Sequence, residues 1–480
     1  MKEFRKYQSL LIVAVTIAII TLVSFVDKEF ILGPFKIKKI NLFSDILADN
    51  QANKANADSV YVDLNPPSDS ALNKEDKGFY VATKYDTSNY NGVNNLNPLY
   101  DFFEALRNTE LNGDKTRIAY FGDSMIEGDL ITQTLRYALQ SKFGGSGVGY
   151  VPITSQTSGF RRTIIQTFSN NWQTCSFVNK SCIGSLFGMS GYVFTPQTGN
   201  NPSDSIKYQN PSWVKYHGSN AYTNLSKFYT VKVYYGMSTK KNYIDYELDG
   251  QRYIKRIEGK NYVNELISSS DKPVSNVKIN FYAHNPMNVY GVSFESPRGI
   301  FLDNFSFRGN SGLNLTSIPA KILKDFNNYF NYNLVVLQYG INVSNPNMRN
   351  FAWYEKGMIK VINHIKENIP NASILLISVG DRSYKNTNKY ETDPSIPILI
   401  QTQKRIAIKT GIAFWNMFEA MGGYNSMVSW VDSIQPLANK DYTHVNFRGA
   451  NRIANLLKTD ILNEYNNFKI SYHQSAKAHS

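Results

Sequence analysis

The sequence has 480 residues, of which 42% are hydrophobic and 19% charged, and its formal net charge is +13. That composition is typical of a folded chain with more than one domain and excludes an intrinsically disordered protein. The two cysteines are too few for a metal cluster, and no zinc-finger spacing or dense basic helix indicates a nucleic-acid-binding protein.

Residues 1–26 predict a cytoplasmic tip and a membrane anchor. Lys2, Arg5 and Lys6 precede an apolar run over residues 10–26, which is long enough to cross a bilayer. Positive charge before such a run keeps the N-terminus in the cytoplasm and exports the remainder. No A-x-A-like cleavage site follows, so an uncleaved anchor is favoured over a cleaved signal peptide. We therefore expect a protein anchored in the inner membrane and facing the periplasm.

Residues 27–110 predict a stalk. Within them, residues 48–96 are rich in Asn, Asp, Ser and Lys and include Pro66 and Pro67. Such a composition buries little apolar surface and spaces a domain from the membrane.

An α/β pattern begins in residues 111–155. The apolar run Ile118–Phe121 ends at Gly122 and predicts a strand. A helical stripe follows and ends at the glycine-rich residues 144–149; its apolar members are Leu130, Leu135, Leu139 and Phe143. A strand, a turn and a helix in this order are the building block of an α/β fold.

Residues 156–300 predict an inserted β-sandwich of the jelly-roll kind. Short alternating runs lie at residues 231–235, 243–248, 277–282 and 289–294, and turn residues such as Asp249-Gly250 separate them. The 15 basic and 7 acidic residues of segment 161–280 indicate either a surface for an anionic polymer or a solvated Lys-rich face. In an exported protein Cys175 and Cys182 favour a disulfide, with two free thiols as the alternative.

The α/β pattern returns in residues 301–466, before a tail at 467–480. Leu334–Leu337 and Ser373–Val379 predict strands buried on both faces, and Ile412–Trp415 predicts a shorter one. Helices are predicted between and after them, at residues 358–368, 396–410 and 446–462.

Three motifs carry residue types that suit acyl transfer. Gly122-Asp123-Ser124 places a serine where a strand gives way to a helix, whose N-terminal N–H groups can stabilise an oxyanion. Asp441-Tyr442-Thr443-His444 supplies a general base and, three residues earlier, a carboxylate that can fix its tautomer. Gly340-Ile341-Asn342 follows a buried strand, where an amide N–H can point into the ligand crevice of an α/β sheet. Taken singly, these motifs have simpler explanations, namely a capping serine, a surface turn and a Gly/Asn turn, and for the first and the third the simpler explanation is favoured.

Together, the motifs resemble those of the SGNH (GDSL-like) hydrolase superfamily, whose blocks carry G-D-S, G-x-N and D-x-x-H in this order. The resemblance implies a flavodoxin-like three-layer α/β/α fold without a cofactor or metal. It also implies that Ser124 is the nucleophile, that His444 is its base and that Asp441 orients His444.

The same resemblance implies an oxyanion hole made by the N–H groups of Ser124 and of a second-block glycine, and by the side chain of Asn342. Gly309, in Phe307-Arg308-Gly309-Asn310, matches that glycine best, and Gly312 is the alternative.

Neighbouring polar residues have simpler interpretations. Asp123 is expected to shape the turn, and Glu127 and Asp129 are expected to be solvated residues of an early helical turn. Gln338 and Tyr339 either line the pocket or pack in the core.

Two further segments, residues 143–150 and 420–423, and Trp430 resemble a subgroup of exported bacterial SGNH proteins. This subgroup is similar to peptidoglycan O-acetylesterases with a carbohydrate-binding-module-like insertion. The resemblance therefore implies an esterase that removes O-acetyl groups from an envelope glycan. The alternatives are an O-acetyltransferase that works with a membrane-bound acyl-exporting partner, and a non-catalytic binding protein.

Overall fold

A computed structural model describes residues 97–182, 184–198 and 210–478, together with the short strands Phe30–Leu32 (β1), Phe35–Ile37 (β2) and Phe79–Tyr80 (β3). The chain divides into two compact units, Met1–Leu72 and Asn73–Ser480. In the first unit, β1 and β2 pair as an antiparallel hairpin. The predicted anchor at residues 10–26 lies outside the described residues. Among the helices that the structure describes, none combines the length and the hydropathy needed to cross a bilayer.

The second unit holds the remaining strands and all the helices described below. The strands are β4 (Lys115–Gly122), β5 (Gly149–Val151), β6 (Ile164–Phe168), β7 (Gln173–Ser176), β8 (Tyr192–Thr195), β9 (Ser212–Gly218), β10 (Phe228–Tyr235), β11 (Tyr243–Leu248), β12 (Gln251–Arg256), β13 (Asn264–Val274), β14 (Asn276–Tyr282), β15 (Val289–Glu295), β16 (Gly299–Ser306), β17 (Leu334–Gln338), β18 (Ser373–Ile377), β19 (Ser383–Asn386), β20 (Lys389–Thr392) and β21 (Ala413–Trp415). The helices are α1 (Tyr100–Asn112), α2 (Thr132–Phe143), α3 (Ala320–Phe330), α4 (Ala352–Asn368), α5 (Ser395–Thr410), α6 (Met417–Met421), α7 (Ser426–Asp432) and α8 (Phe447–Ala478).

A six-stranded sheet forms the centre of this unit, in the order β16-β4-β17-β18-β21-β3. All neighbours are parallel except β3, which pairs antiparallel with β21. Counted along the chain from β4, the parallel strands lie in the order 2-1-3-4-5, which is that of flavodoxin. Every residue of β17 and β18 is buried, because helices cover both faces of a parallel sheet. The predicted α/β fold with a parallel sheet is confirmed.

The direction of each crossover decides which face a helix covers. Helices α3, α4 and α5 precede steps across the sheet in one direction, whereas α2 precedes the opposite step from β4 to β16. Since such crossovers are right-handed, the two groups lie on opposite faces of the sheet. Contacts agree with this assignment, because α4 packs on α3 and α5, while α8 packs on α1 and α2.

Between α2 and β16 the chain forms two antiparallel sheets. One has the order β13-β10-β15-β8-β7, with β5 also on β15, and the other has the order β12-β11-β14-β9-β6. Side chains of both sheets, such as Val233 and Ile244, share one hydrophobic cluster. The Asp249-Gly250 hairpin turn has φ angles of 43° and 89°, the left-handed pair that a tight right-twisted hairpin requires. The four predicted runs lie in β10, β11, β14 and β15, and their separation as a β-sandwich domain stays a prediction.

A buried ionic cluster attaches these antiparallel sheets to the parallel one. Arg117 on β4 lies 2.6 Å from Asp303 on β16 and 2.6 Å from Glu295 on β15. Burial raises the pKa of Glu295, but Arg117, Lys232 and Lys115 outweigh it and hold that pKa below its usual range. The end of the inserted segment is therefore fixed to the strand that carries the Gly122-Asp123-Ser124 motif.

The structure differs from the predicted stalk at its C-terminal end. Phe102, Phe103 and Leu106 of α1 are fully buried, and Phe103 contacts the rings of Tyr465 and Phe468 on α8. The stalk was predicted from the polar composition of residues 48–96, which end before this short apolar stripe begins. Helix α8 also continues beyond Leu462 into the predicted tail, and Tyr465 and Phe468 in this extension are buried against α1.

Candidate active site

The turn after β4 presents Ser124. Asp123 is buried and its carboxylate accepts a hydrogen bond from the N–H of Met125 at 3.0 Å, so it shapes the turn as expected. A Cβ at position 122 would lie 2.9 Å from Ile126 and 3.1 Å from the carbonyl oxygen of Gln338, which explains the glycine. Burial raises the pKa of Asp123 to about 7.

The helix expected directly after Ser124 is instead a short 3₁₀ segment, Ser124–Asp129, and α2 begins only at Thr132. Glu127 and Gly128 have non-helical backbone angles within that segment. Ser124 therefore lies at the start of a tight turn, and a long helix dipole does not act on it.

The structure brings Ser124, His444 and Asp441 together. Ser124 Oγ lies 2.9 Å from His444 Nε2, although the two residues are 320 positions apart. His444 Nδ1 lies 2.8 Å from Asp441 Oδ2. Because the carboxylate accepts the Nδ1 proton, Nε2 is left to accept the Ser124 hydroxyl proton.

The turn before α8 orients this pair. Asp441 Oδ1 accepts the N–H groups of Thr443 and His444, both at 3.0 Å, which leaves Oδ2 for the imidazole. Partial burial raises the pKa of Asp441, but these backbone bonds and the His444 ring outweigh it and lower that pKa. Asp441 is therefore a carboxylate at neutral pH. The His444 side chain is 37% exposed, so the site is open to water.

Three adjacent strand ends align the residues expected to form the oxyanion hole. Gly122 on β4 is in register with Ser306 on β16 and with Gln338 on β17. A few residues after these strand ends come Ser124, Gly309 and Asn342, respectively. The carboxyl ends of parallel strands meet at one edge, so these loops are neighbours.

Asn342 joins two of the loops. Its side-chain Nδ2 donates to the carbonyl oxygen of Asn310 at 3.0 Å, which uses one of its two N–H bonds. The side chain is exposed, so the second N–H is available to a ligand.

The structure also separates the two candidate glycines. The N–H of Gly312 donates to Asn310 Oδ1 at 2.9 Å, and a Cβ there would lie 2.8 Å from the Tyr339 ring. Gly309 is exposed with a φ of 73°, and within the described residues its N–H has no acceptor. Gly309 therefore fits the oxyanion role better than Gly312.

The expectation that Glu127 and Asp129 are solvated was wrong. Glu127 Oε2 lies 2.7 Å from Arg308, directly before Gly309. Asp129 is fully buried, 2.7 Å from Arg136 on α2 and 3.0 Å from Arg161 in the inserted segment. Burial raises the pKa of Asp129, but the two guanidinium groups outweigh it and hold that pKa below its usual range.

Aromatic rings support the loop that carries Gly309. Phe307 is stacked between Tyr192 and Phe177, with ring centroids 4.7 Å and 4.6 Å away. Phe177 lies in the loop closed by Cys175 and Cys182, whose predicted disulfide is confirmed. Sequence patterns did not reveal the two ring contacts of Phe307, because both join it to residues far earlier in the chain.

Gln338 and Tyr339 belong to the core. Gln338 is buried and its Oε1 accepts the hydroxyl of Tyr120 at 2.6 Å, while Tyr339 is 2% exposed. Packing, the second interpretation, therefore explains both. Within the part of the chain that the structure describes, no group of three or more His, Cys, Asp or Glu side chains could hold a metal ion.

Comparison with known proteins adds to this geometry. No family model and no curated protein matches the sequence. A solved peptidoglycan O-acetylesterase is similar in structure, with a TM-score of 0.59 at 20% sequence identity over 77% of this chain and 96% of that chain. This chain therefore shares the fold of that esterase.

Two other solved structures align with this chain over shorter stretches. A GDSL-like lipase from Parabacteroides merdae is 15% identical over 34% of this chain and 72% of that chain, with a TM-score of 0.27. An acetyl xylan esterase is 18% identical over 33% of this chain and 80% of that chain, also with a TM-score of 0.27.

Proposed function

We propose that this protein is a serine esterase that removes O-acetyl groups from a cell-envelope glycan, namely peptidoglycan. The observation that carries the proposal is the continuous hydrogen-bonded series from Ser124 through His444 to Asp441 at the carboxyl edge of the parallel sheet. A serine, a neutral imidazole and a carboxylate in this order form an activated nucleophile.

The first half of the reaction acylates Ser124. Its Oγ attacks the acetyl carbonyl carbon while His444 Nε2 takes the hydroxyl proton, and Asp441 stabilises the resulting imidazolium. The negative charge on the carbonyl oxygen is held by the N–H groups of Ser124 and Gly309 and by the Asn342 side chain. The C–O bond to the sugar then breaks, and the sugar hydroxyl leaves with the proton from His444.

The second half releases acetate. Water loses a proton to His444 and attacks the acyl carbonyl, after which Ser124 regains its proton and acetate departs. The 37% exposure of the His444 side chain supports hydrolysis, because water reaches the acyl-enzyme from solvent.

Two observations support a glycan substrate, namely a similarity in structure to a known esterase and the net charge of the chain. A solved structure that shares this fold over most of both chains is a peptidoglycan O-acetylesterase. The chain itself carries a net charge of +13, which suits a polymer with acidic groups.

The proposed location is the periplasmic face of the inner membrane. The apolar run at residues 10–26 supports an anchor, and the Cys175–Cys182 disulfide fits an oxidising compartment. An acetyltransferase would use the same triad with a sugar hydroxyl in place of water and an acyl-exporting partner in the membrane.

Acetate release from O-acetylated peptidoglycan and from an aryl acetate tests the proposal, with and without an acceptor glycan. We expect the full chain to hydrolyse both esters, and the Ser124→Ala variant to lose several orders of magnitude in rate. Release that persists in Ser124→Ala would rule out the nucleophile. Acetyl groups that appear on the acceptor glycan would identify a transferase instead.

A further inference from the structure

We propose that a cleft beside the Ser124 turn binds a sugar ring next to the one that carries the acetyl ester. This inference rests on the proposed function and names the part of the glycan that the site recognises.

The cleft lies between the turn after Ser124 and the inserted antiparallel sheets. It has a volume of about 130 Å³. One wall contains Glu127, Gly128, Ser306 and Arg308. The other lining residues include Pro152, residues 154–157, Arg161, Thr174, Ser190 and Tyr192. Since Glu127 follows Ser124 closely and Arg308 directly precedes Gly309, a glycan with its ester at Ser124 reaches the cleft with a neighbouring residue.

The charged groups in the cleft are already paired. Glu127 contacts Arg308 at 2.7 Å, and Asp129 contacts Arg161 at 3.0 Å. An anion or a cation would have to displace one of these partners, so the cleft has no net preference for a charged ligand.

Several of the other lining residues present neutral hydroxyl and amide groups. The hydroxyls of Thr154 and Thr174 form a hydrogen bond of 3.1 Å, and so do those of Ser155 and Thr157. Gln156, between the latter two in sequence, also lines the cleft. Each hydroxyl both donates and accepts, which matches the alternating donors and acceptors of a sugar ring better than an apolar acyl chain.

Tyr192 supplies the best-defined donor. Its ring is held against Phe307. Among the described residues its hydroxyl has no hydrogen-bond partner, and it is not among the hydroxyls that are sealed from solvent. Burial, followed by the nearby Glu127 carboxylate, raises the pKa of Tyr192 to about 12. The phenol therefore keeps its proton and can donate it to a ligand oxygen.

The test compares two substrates in the Tyr192→Phe variant, which removes the hydroxyl and leaves the ring on Phe307. We expect kcat/KM for O-acetylated peptidoglycan, divided by kcat/KM for an aryl acetate, to fall about 3- to 10-fold, the effect of one neutral hydrogen bond. Tyr253→Phe is the matched control, because Tyr253 is exposed on β12 in the other antiparallel sheet. Its ratio should equal that of the wild type.

Binding supplies a second measurement that needs no turnover. Calorimetric titration of Ser124→Ala with soluble peptidoglycan fragments should give a Kd that rises about 3- to 10-fold when Tyr192→Phe is added. An unchanged ratio together with an unchanged Kd would overturn the subsite while leaving the esterase intact. Loss of wild-type activity on both esters would instead overturn the proposed function and, with it, this inference.

Discussion

Arg308 Nη2 lies 2.7 Å from Glu127 Oε2, and this ion pair joins the turn that follows Ser124 to the loop that carries Gly309. The Arg308 side chain is 68% exposed, so the pair contributes less than about 1 kcal/mol to stability. We expect its effect to be on position, because it connects the turn and the loop that carry two backbone donors of the proposed oxyanion hole.

Arg308→Met should therefore lower kcat while leaving the melting temperature nearly unchanged. A small displacement of a catalytic donor can reduce the rate by up to about 10²-fold. Arg252→Met is the control, since Arg252 is similarly exposed and pairs with Asp245 in a distant antiparallel sheet. An unchanged kcat in Arg308→Met would show that the Gly309 loop does not need this pair.

Asn342→Asp removes the N–H donor without changing the size of the side chain. We expect kcat for the aryl acetate to fall about 10²- to 10³-fold with little change in KM, because the donor acts on the oxyanion. Asn347→Asp adds the same charge to an exposed position of the same loop and should retain activity. Equal losses in the two variants would indicate an effect of charge alone.

Asp441→Asn tests the orientation of the imidazole. An amide N–H facing Nδ1 stabilises the tautomer whose proton sits on Nε2, so His444 cannot accept the Ser124 proton. The expected loss in kcat is about 10²- to 10⁴-fold. Asp432→Asn, which alters only an acceptor for the Tyr442 hydroxyl, should stay close to the wild type. Full activity in Asp441→Asn would remove Asp441 from the proposed triad.

Asp129→Asn should destabilise the whole second unit. The substitution leaves Arg136 and Arg161 buried without their counter-charge, which typically costs about 3–5 kcal/mol in free energy of unfolding. Glu355→Gln is the control, because its partners Arg405 and Lys409 are more than half exposed and should cost less than about 1 kcal/mol. Urea unfolding measures both, and similar midpoints would contradict the buried pair.

Asp123 predicts a pH dependence of stability. Its folded pKa is raised to about 7, so the folded state holds a proton that the unfolded state has lost above about pH 4. The contribution of this proton to the free energy of unfolding is complete below the pKa of Asp123 in the unfolded state. It is lost as the pH rises through the pKa of Asp123 in the folded state.

The Asp123→Asn variant keeps an oxygen acceptor for the Met125 N–H but has no carboxyl group that can ionise. The free energy of unfolding of the wild type, relative to Asp123→Asn, should fall by a few kcal/mol between about pH 4 and 7. Urea unfolding at several pH values measures the difference, and a constant difference would show that the Asp123 carboxyl titrates normally.

The sequence by itself determined the features that depend on local interactions. The buried strands β17 and β18, the Asp249-Gly250 hairpin and the Asp441–His444 turn are each encoded within a few consecutive residues. Strand burial, positive φ and a carboxylate three residues before an imidazole all act over that range. The order of the motifs also indicated that Ser124, Asn342 and His444 belong to one site.

Tertiary structure alone decided the partners that come from far along the chain. Asp129 meets Arg161, 32 residues away, and Glu127 meets Arg308, 181 residues away, so local charge patterns wrongly indicated solvated side chains. The choice of Gly309 over Gly312 likewise depends on which N–H the folded loop has already used. Burial and hydrogen-bond satisfaction belong to the packed molecule, since they arise only when separate segments meet.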